Sequence, residues 1–465
     1  MLTDEFKYRI TSALGLTPTV EQQHAIGVFA NFLACRDSNV VMVLRGSAGT
    51  GKTTLAAAIV RAMASLQIKM VLLSPTGRAA KVFSLYSGHS AFTIHRHIYM
   101  QKSAVDSLSS GFQLNYTIAN DTLFIVDEAS MIGDSSTDSS LLSDLIQYVY
   151  RGRNCRMLLI GDAAQLPPVG ETESPALQSE VLRSFGLTVF EADLNEVLRQ
   201  SADSGILYNA TQIRNGGVVL PKINLQFDDV SVVPGDELIE QLSTSYSHVG
   251  LDDTIIVTRS NKRANIYNEG IRRMVLDRED ELCRGDRLMI VKNNYSLLTT
   301  PPSTLTNMSF IANGDIAVVQ RVRNVHEQHG FRFAEVTLLF PDYDDYELTA
   351  TVMLDTLMSE SPALTREQQA KLFESVMADY ADIPRKADRI KKLKEDRYYN
   401  ALQVKFAYAV TCHKAQGGQW AHVYIDQGYM TDDTLSLDYI HWRYTAFTRS
   451  TEKLFLVNWP TSQIN

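Results

Sequence analysis

Between an apolar run, Val40-Val41-Met42-Val43-Leu44, and an alanine-rich stretch, Leu55 to Ala64, the chain reads Gly46-Ser47-Ala48-Gly49-Thr50-Gly51-Lys52-Thr53. A short β-branched run of this kind predicts a buried parallel strand, and the alanine-rich stretch predicts a helix. Strand, glycine loop and helix in that order aim backbone N–H groups and the helix dipole at one point, which makes a cradle for phosphate. The octapeptide satisfies the Walker A pattern. Lys52 is expected to reach the β- and γ-phosphates of ATP, and Thr53 to bind Mg²⁺. The expected nucleotide contacts are Gly46, Ser47, Ala48, Gly49, Thr50, Gly51, Lys52, Thr53 and Thr54.

Three further apolar runs follow the same rhythm: Met70–Leu73, Leu123–Val126 and Met157–Ile160. Strands alternating with helices predict an α/β layer structure with a parallel sheet, and ligands of such sheets sit at the carboxyl ends of the strands. Two polar clusters lie there. Asp127-Glu128 ends the third strand as a Walker B acid pair. Asp127 is expected to hold Mg²⁺, mostly through water, and Glu128 to polarise the attacking water. Gly161-Asp162-Ala163-Ala164-Gln165-Leu166-Pro167-Pro168 follows the fourth, and the Gln165 amide, both donor and acceptor, is placed to sense the γ-phosphate or orient the water.

After about Gly186 the pattern restarts. Thr254–Val257, Val423–Ile425 and Leu454–Val457 predict strands of a second α/β domain, with Lys262–Met274 as a helix. Its sequence is split. In the interval, Arg287–Val291 and Ile316–Val319 predict strands of a small β unit with a turn at Asn313-Gly314, extended by Phe333–Phe340 and Glu347–Val352. Thr365 to Tyr399 then reads as helical: Thr365 with Gln368 makes a capping box, and Pro384 should break the helix. The domains expected are 1–192; 193–280 with 401–465; and an insert at 281–400. Two arginines outside the first domain, Arg199 and Arg449, are candidates to place a planar cation on the γ-phosphate across the cleft between domains.

Composition sets limits on partners and compartment. The 465 residues carry a formal net charge of -9, which argues against a protein that coats nucleic acid over its whole surface but leaves room for a local basic groove. The densest basic run, Arg385 to Arg397, is interrupted by Asp388, Glu395 and Asp396 and reads as a solvated helical face, with contact to duplex or single strand as the alternative. Cys35, Cys155, Cys283 and Cys412 are far apart, so they are read as free thiols rather than a zinc or iron–sulfur site. Residues 1–16 mix charges through their length, unlike a signal peptide, and no apolar stretch is long enough to cross a membrane. A cytosolic, cytoplasmic protein is the default expectation.

Taken in order from residue 19 to residue 457, these segments resemble the motifs of the superfamily 1 helicases. Glu21-Gln22 resembles the Q motif, which in that family reads adenine, and makes Gln22 a nucleotide contact. Ser74-Pro75-Thr76-Gly77-Arg78 resembles motif Ia, Thr93-Ile94-His95-Arg96 motif Ib, Asp127 to Met131 motif II, and Gly161 to Pro168 motif III. Leu198-Arg199-Gln200 resembles motif IV, Val410 to Gly417 motif V, and Tyr444 to Arg449 motif VI. The Thr-Ile-His-Arg, Asp-Glu-Ala-Ser-Met and His-Lys-Ala-Gln-Gly forms are similar to the RecD, Pif and phage Dda branch, superfamily 1B, and the helical extension before motif V most resembles the Dda layout.

The resemblance implies two RecA-like P-loop domains with parallel sheets, and an inserted SH3-like β domain carrying a helical extension. Gly285-Asp286-Arg287 and Asn313-Gly314-Asp315 resemble that insert. It implies an ATP- and Mg²⁺-dependent DNA helicase, acting as a monomer, that tracks single-stranded DNA 5′ to 3′ and opens forked duplex. A DNA-stimulated ATPase that clamps a strand without unwinding would use the same hydrolytic residues. The candidate DNA contacts are Pro75, Thr76, Arg78, Lys81, Thr93, His95, Thr411 and His413. A wedge hairpin is expected within 97–120, with Phe112 and Tyr116 available to stack on a base pair. Gly417 is expected near the nucleotide. The chain departs from the family at Gln419, where a glutamate usually follows the motif V glycine, and a RecD-type N-terminal partner-binding domain is not expected.

Overall fold

A computed structural model describes residues 2–100, 113–115, 117–134, 140–198, 203–217, 221–294, 296–297, 311–429 and 436–465. Its first unit is a six-stranded parallel sheet. Across the sheet the strands run Ala91–Thr93, Lys69–Ser74, Thr122–Val126, Arg156–Gly161, Val40–Gly46 and Thr188–Leu194. The apolar character of Val40–Leu44 is continuous because both faces are covered. Val40, Met42 and Leu44 pack with Phe29, Leu55 and Ile59 on one side, and Val41 and Val43 with Val126, Leu145 and Leu159 on the other. Burying a large aliphatic side chain contributes about 1.5–3 kcal/mol, so this strand is pinned in place under the loop it feeds.

The second α/β unit is a five-stranded parallel sheet ordered Ala409–Thr411, Thr254–Thr258, Trp420–Asp426, Ser450–Val457 and Val230–Val233. The insert is a closed barrel of Arg287–Ile290, Ile316–Gln328, Phe331–Phe340, Tyr346–Met353 and Leu402–Phe406. The last of these strands corrects the expected boundary at residue 400. Leu402–Phe406, placed by that boundary in the second α/β domain, pairs with Arg287–Ile290 and closes the barrel. The chain re-enters the second sheet only at Ala409.

The helical extension forms two helices, Arg366–Asp379 and Lys386–Glu395, separated around Pro384 as its missing N–H requires. Both bonds of the Thr365–Gln368 capping box are made. Leu372, Val376 and Leu393 dock the pair on Phe331 and Phe333 of the barrel.

One buried carboxylate fixes the barrel to the second α/β unit. Asp286 is fully buried and accepts from Arg272 Nη2 at 2.9 Å, Arg278 Nη1 at 2.9 Å, the Cys283 N–H at 2.7 Å and the Tyr408 hydroxyl at 3.0 Å. A buried charge is tolerable only when paired and hydrogen-bonded in this way. The other side of the barrel touches the first unit. Lys81 Nζ donates to Asp342 Oδ1 at 2.7 Å, and a Cβ on Gly77 would lie 2.6 Å from Asp315 Oδ1.

Candidate active site

Gly46 ends its strand and Lys52 begins the helix Lys52–Ser65, so the loop between them sits where sheet and helix dipole converge. Gly49 and Gly51 hold φ of +76° and +80°, a left-handed region that side chains disfavour. At Gly51 a Cβ would also lie 2.6 Å from Gln22 Nε2. Lys52 Nζ donates to the Ser47 carbonyl at 2.8 Å and lies 3.8 Å from Asp162 Oδ2. Thr53 and Thr54 are exposed on the first turn.

Gln22 braces this loop as well as its own helix. Its Oε1 accepts the Thr19 N–H at 3.1 Å, and its Nε2 donates to the Thr50 carbonyl at 3.4 Å. The neighbouring Glu21 accepts the backbone N–H groups of Asn195 and Glu196, which leads the chain out of the first unit.

Asp127 and Glu128 follow the strand Thr122–Val126 directly. The Tyr86 hydroxyl donates to Asp127 Oδ2. Burial pushes both carboxyls above their ordinary range; Tyr86 pulls Asp127 back, and Arg449 pulls Glu128 back. Glu128 holds φ +54° and ψ +37°, left-handed for a residue with a Cβ, and strain of this kind collects at functional sites. Arg449 is buried on the second α/β unit, where Nε donates to the Thr445 carbonyl at 2.9 Å and Nη1 to the Gly418 carbonyl at 3.2 Å.

The loop after Arg156–Gly161 joins the two units. Leu166 N–H donates to Thr445 Oγ1 at 2.8 Å, and Gln416 Nε2 donates to the Leu166 carbonyl at 2.7 Å. Just before these anchors, Gln165 is buried, and among the described residues neither its Oε1 nor the buried Ser47 Oγ has a hydrogen-bond partner. Orphaned polar atoms beside a phosphate loop fit a ligand that brings phosphate oxygens and water. Thr53 and Asp127 supply the hard oxygen donors that suit Mg²⁺.

At the edge where strand contacts were expected, Thr76 caps the helix Gly77–Ser87 through the Ala79 N–H at 3.3 Å, and Thr93 caps Ile94–Ile98 through the Arg96 N–H at 3.2 Å. Gly417 holds φ +72° against this edge, where a Cβ would meet Ala79 Cβ at 2.9 Å and Thr76 Oγ1 at 3.1 Å. That places Gly417 on motif Ia. Thr76, Arg78, Arg287, Lys414 and Trp420 line one cleft where all three units meet. Pro75 follows the strand end beside it, and Thr411 stands at the start of Cys412–Ala415 with no capping bond from its side chain. His413 is exposed, whereas His95 is buried enough to push its imidazole down to about 4. Arg78 and Lys81 are bonded between units: Arg78 to Gln419 and Trp420, Lys81 to the barrel. The hairpin expected at 97–120 begins as the antiparallel pair Tyr99–Met100 with Gln113–Leu114. Phe112, Tyr116 and Arg199 lie outside the described residues.

Comparison with known proteins follows the same division of the chain. Residues 19–228 match a family model described as an AAA domain, and residues 406–457 one described as a UvrD-like helicase C-terminal domain. The ATP-dependent DNA helicase dda of Enterobacteria phage T4 is 24% identical over 399 residues, spanning 83% of this chain and 87% of its own length. In these matches the chain is similar to ATP-dependent DNA helicases. The ATP-dependent RecD2 DNA helicase of Deinococcus radiodurans is 34% identical over 177 residues, 38% of this chain but only 22% of the relative. Among solved structures, Pif1 helicase from Candida albicans aligns over 97% of this chain and 96% of its own at 16% identity, with a TM-score of 0.46. A likeness that loose carries no argument about activity.

Sequence reasoning passed over the polar groups that stitch these segments together. Tyr86, Tyr444, Thr445 and Gln416 bond to residues tens to hundreds of positions away. A lone tyrosine or glutamine in a sequence carries no sign of such a partner.

Proposed function

We propose that this chain is an ATP-dependent DNA helicase that moves 5′ to 3′ along single-stranded DNA and opens forked duplex. The observation that carries the reading is the meeting of two sites on the same pair of α/β units. The charges of Lys52, on the phosphate loop, and of Arg449 both bear on Glu128, and the segments resembling motifs Ia and V meet at Thr76 and Gly417. A ligand drives a two-state cycle only by binding the two states unequally. ATP held by Lys52 on one unit and by Arg449 on the other favours closure, and hydrolysis removes that bridge. Bound Mg²⁺, held by Thr53 and Asp127, would neutralise phosphate charge as the γ-phosphate leaves. Glu128 takes a proton from the attacking water, and Gln165 orients it.

Phosphates of the strand lie along the edge containing Pro75, Thr76, Thr93, Thr411 and His413, held by hydroxyls and backbone N–H groups that read no base. The similarity to the phage T4 dda helicase over most of both chains supports the substrate class. The test measures ATP turnover with and without an oligo-dT strand. Turnover is expected to rise with the strand and to vanish in Lys52→Ala. Full turnover in Lys52→Ala, or indifference to the strand, overturns the proposal.

A further inference from the structure

The Tyr444 hydroxyl lies on the second α/β unit but bonds to two separate parts of the ATP site on the first. It donates to Asp162 Oδ2 at 2.7 Å and accepts the Ala48 N–H, from within the phosphate loop, at 2.8 Å. Asp162 is itself buried. Its Oδ1 accepts the Ala164 N–H at 3.0 Å, and its Oδ2 lies 3.8 Å from Lys52 Nζ. One phenol therefore holds the loop backbone and also the carboxylate that faces the loop lysine.

The surroundings make this contact durable. Tyr444 is 1% exposed, so water does not compete for its hydroxyl. Burial first, and then the Asp162 charge, raise the phenol well above its ordinary range, and it stays an O–H donor at any working pH. Thr445, the next residue, takes the Leu166 N–H, so adjacent side chains grip both ends of the Asp162–Leu166 loop that carries Gln165. Arg449 follows one turn later, with Nε on the Thr445 carbonyl. Phosphate loop, glutamine loop and arginine are thus tied to one helix end.

We propose that Tyr444 is a positioning residue for ATP hydrolysis, whose hydroxyl locks the phosphate loop and Asp162 to the second α/β unit so that movement of that unit resets the geometry around Lys52 and Gln165. The inference rests on the reading of this cleft as the ATP site. The Tyr444 hydroxyl bonds to Asp162 and to the loop backbone rather than to the Lys52 or Thr53 side chain, so its loss acts on turnover more than on nucleotide affinity. Removing the hydroxyl leaves a buried N–H and a buried carboxylate oxygen each short of a partner.

The test uses the full chain, with ATP turnover measured over a range of ATP in saturating oligo-dT. Tyr444→Phe keeps the ring and its packing. It is expected to lower the DNA-stimulated kcat by about ten- to a hundredfold, the span of one hydrogen bond to a charged group, while KM for ATP stays within about threefold. Asp162→Ala breaks the same contact from the other side, and the double variant is expected to be no slower than the slower single one. A kcat within about twofold of wild type in Tyr444→Phe overturns the proposal, and so do losses that multiply in the double variant. If Tyr444→Phe does not fold, Asp162→Ala carries the test alone, and an unchanged kcat there overturns it. Turnover that survives Lys52→Ala would remove the ATP-site reading instead, and the inference with it.

Discussion

The Arg78 guanidinium lies over the Trp420 ring, its carbon 4.1 Å from the ring centroid, and Nη2 donates to the Gln419 carbonyl at 2.9 Å. Arg78 belongs to motif Ia on the first α/β unit, and Trp420 starts a strand of the second. A side chain expected to grip phosphate thus bridges the two units. A shielded cation over indole contributes about 0.5–2 kcal/mol.

Arg78→Ala and Trp420→Leu are expected to impair DNA-stimulated turnover to the same extent, with little added loss in the double variant. Steady-state ATPase assays at saturating oligo-dT check this. If Arg78→Ala weakens DNA binding and lowers its salt dependence while Trp420→Leu changes neither, Arg78 is a phosphate contact instead.

Arg449 is bound to its own unit through Thr445, Gly418 and Thr448, and its charge bears on Glu128 in the other. Arg449→Ala should therefore keep nucleotide binding and lose turnover by about a thousandfold or more, as cations that stabilise phosphoryl transfer do. Fluorescent-nucleotide titration beside an ATPase assay separates the two effects, and a variant turning over at the wild-type rate would rule out the role.

Asp286 serves two arginines, a backbone N–H and Tyr408 while fully buried. Asp286→Ala leaves Arg272 buried without its partner and is expected to cost about 3–5 kcal/mol. Denaturant unfolding measures it. A loss under about 1 kcal/mol would mean that the arginines find other acceptors.

Burial holds the His95 imidazole down at about 4, whereas an unfolded chain titrates near 6.5. Below about pH 6.5 the unfolded chain takes up the proton first, so this contribution to stability is complete above that pH and is lost as pH falls toward 4. The melting temperature of wild type should fall more steeply between pH 7 and pH 5 than that of His95→Gln. Parallel curves would contradict the burial of a neutral imidazole.

Wherever local pattern decided an element, the sequence was legible. The strand Val40–Gly46, its glycine loop and the Thr365 capping box follow from residues within a few positions of one another. Leu402–Phe406 alternates apolar Leu402, Val404 and Phe406 with Gln403 and Lys405, a strand pattern, but its partner was not legible, because Arg287–Ile290 is more than a hundred positions away. The same separation hid Tyr444 from Ala48 and Lys81 from Asp342. Motif positions placed Arg78 and Lys81 just after a strand end, but residue type alone does not distinguish a cation that meets phosphate from one that meets a neighbouring unit.

The central claim is an ATP-driven motor with direction, and tail-dependent strand separation tests it most directly. With ATP and Mg²⁺, a duplex bearing a 5′ single-stranded tail is expected to be opened, while the same duplex with a 3′ tail stays closed. Opening of the 3′-tailed duplex alone, or ATP turnover with neither opened, would contradict the account.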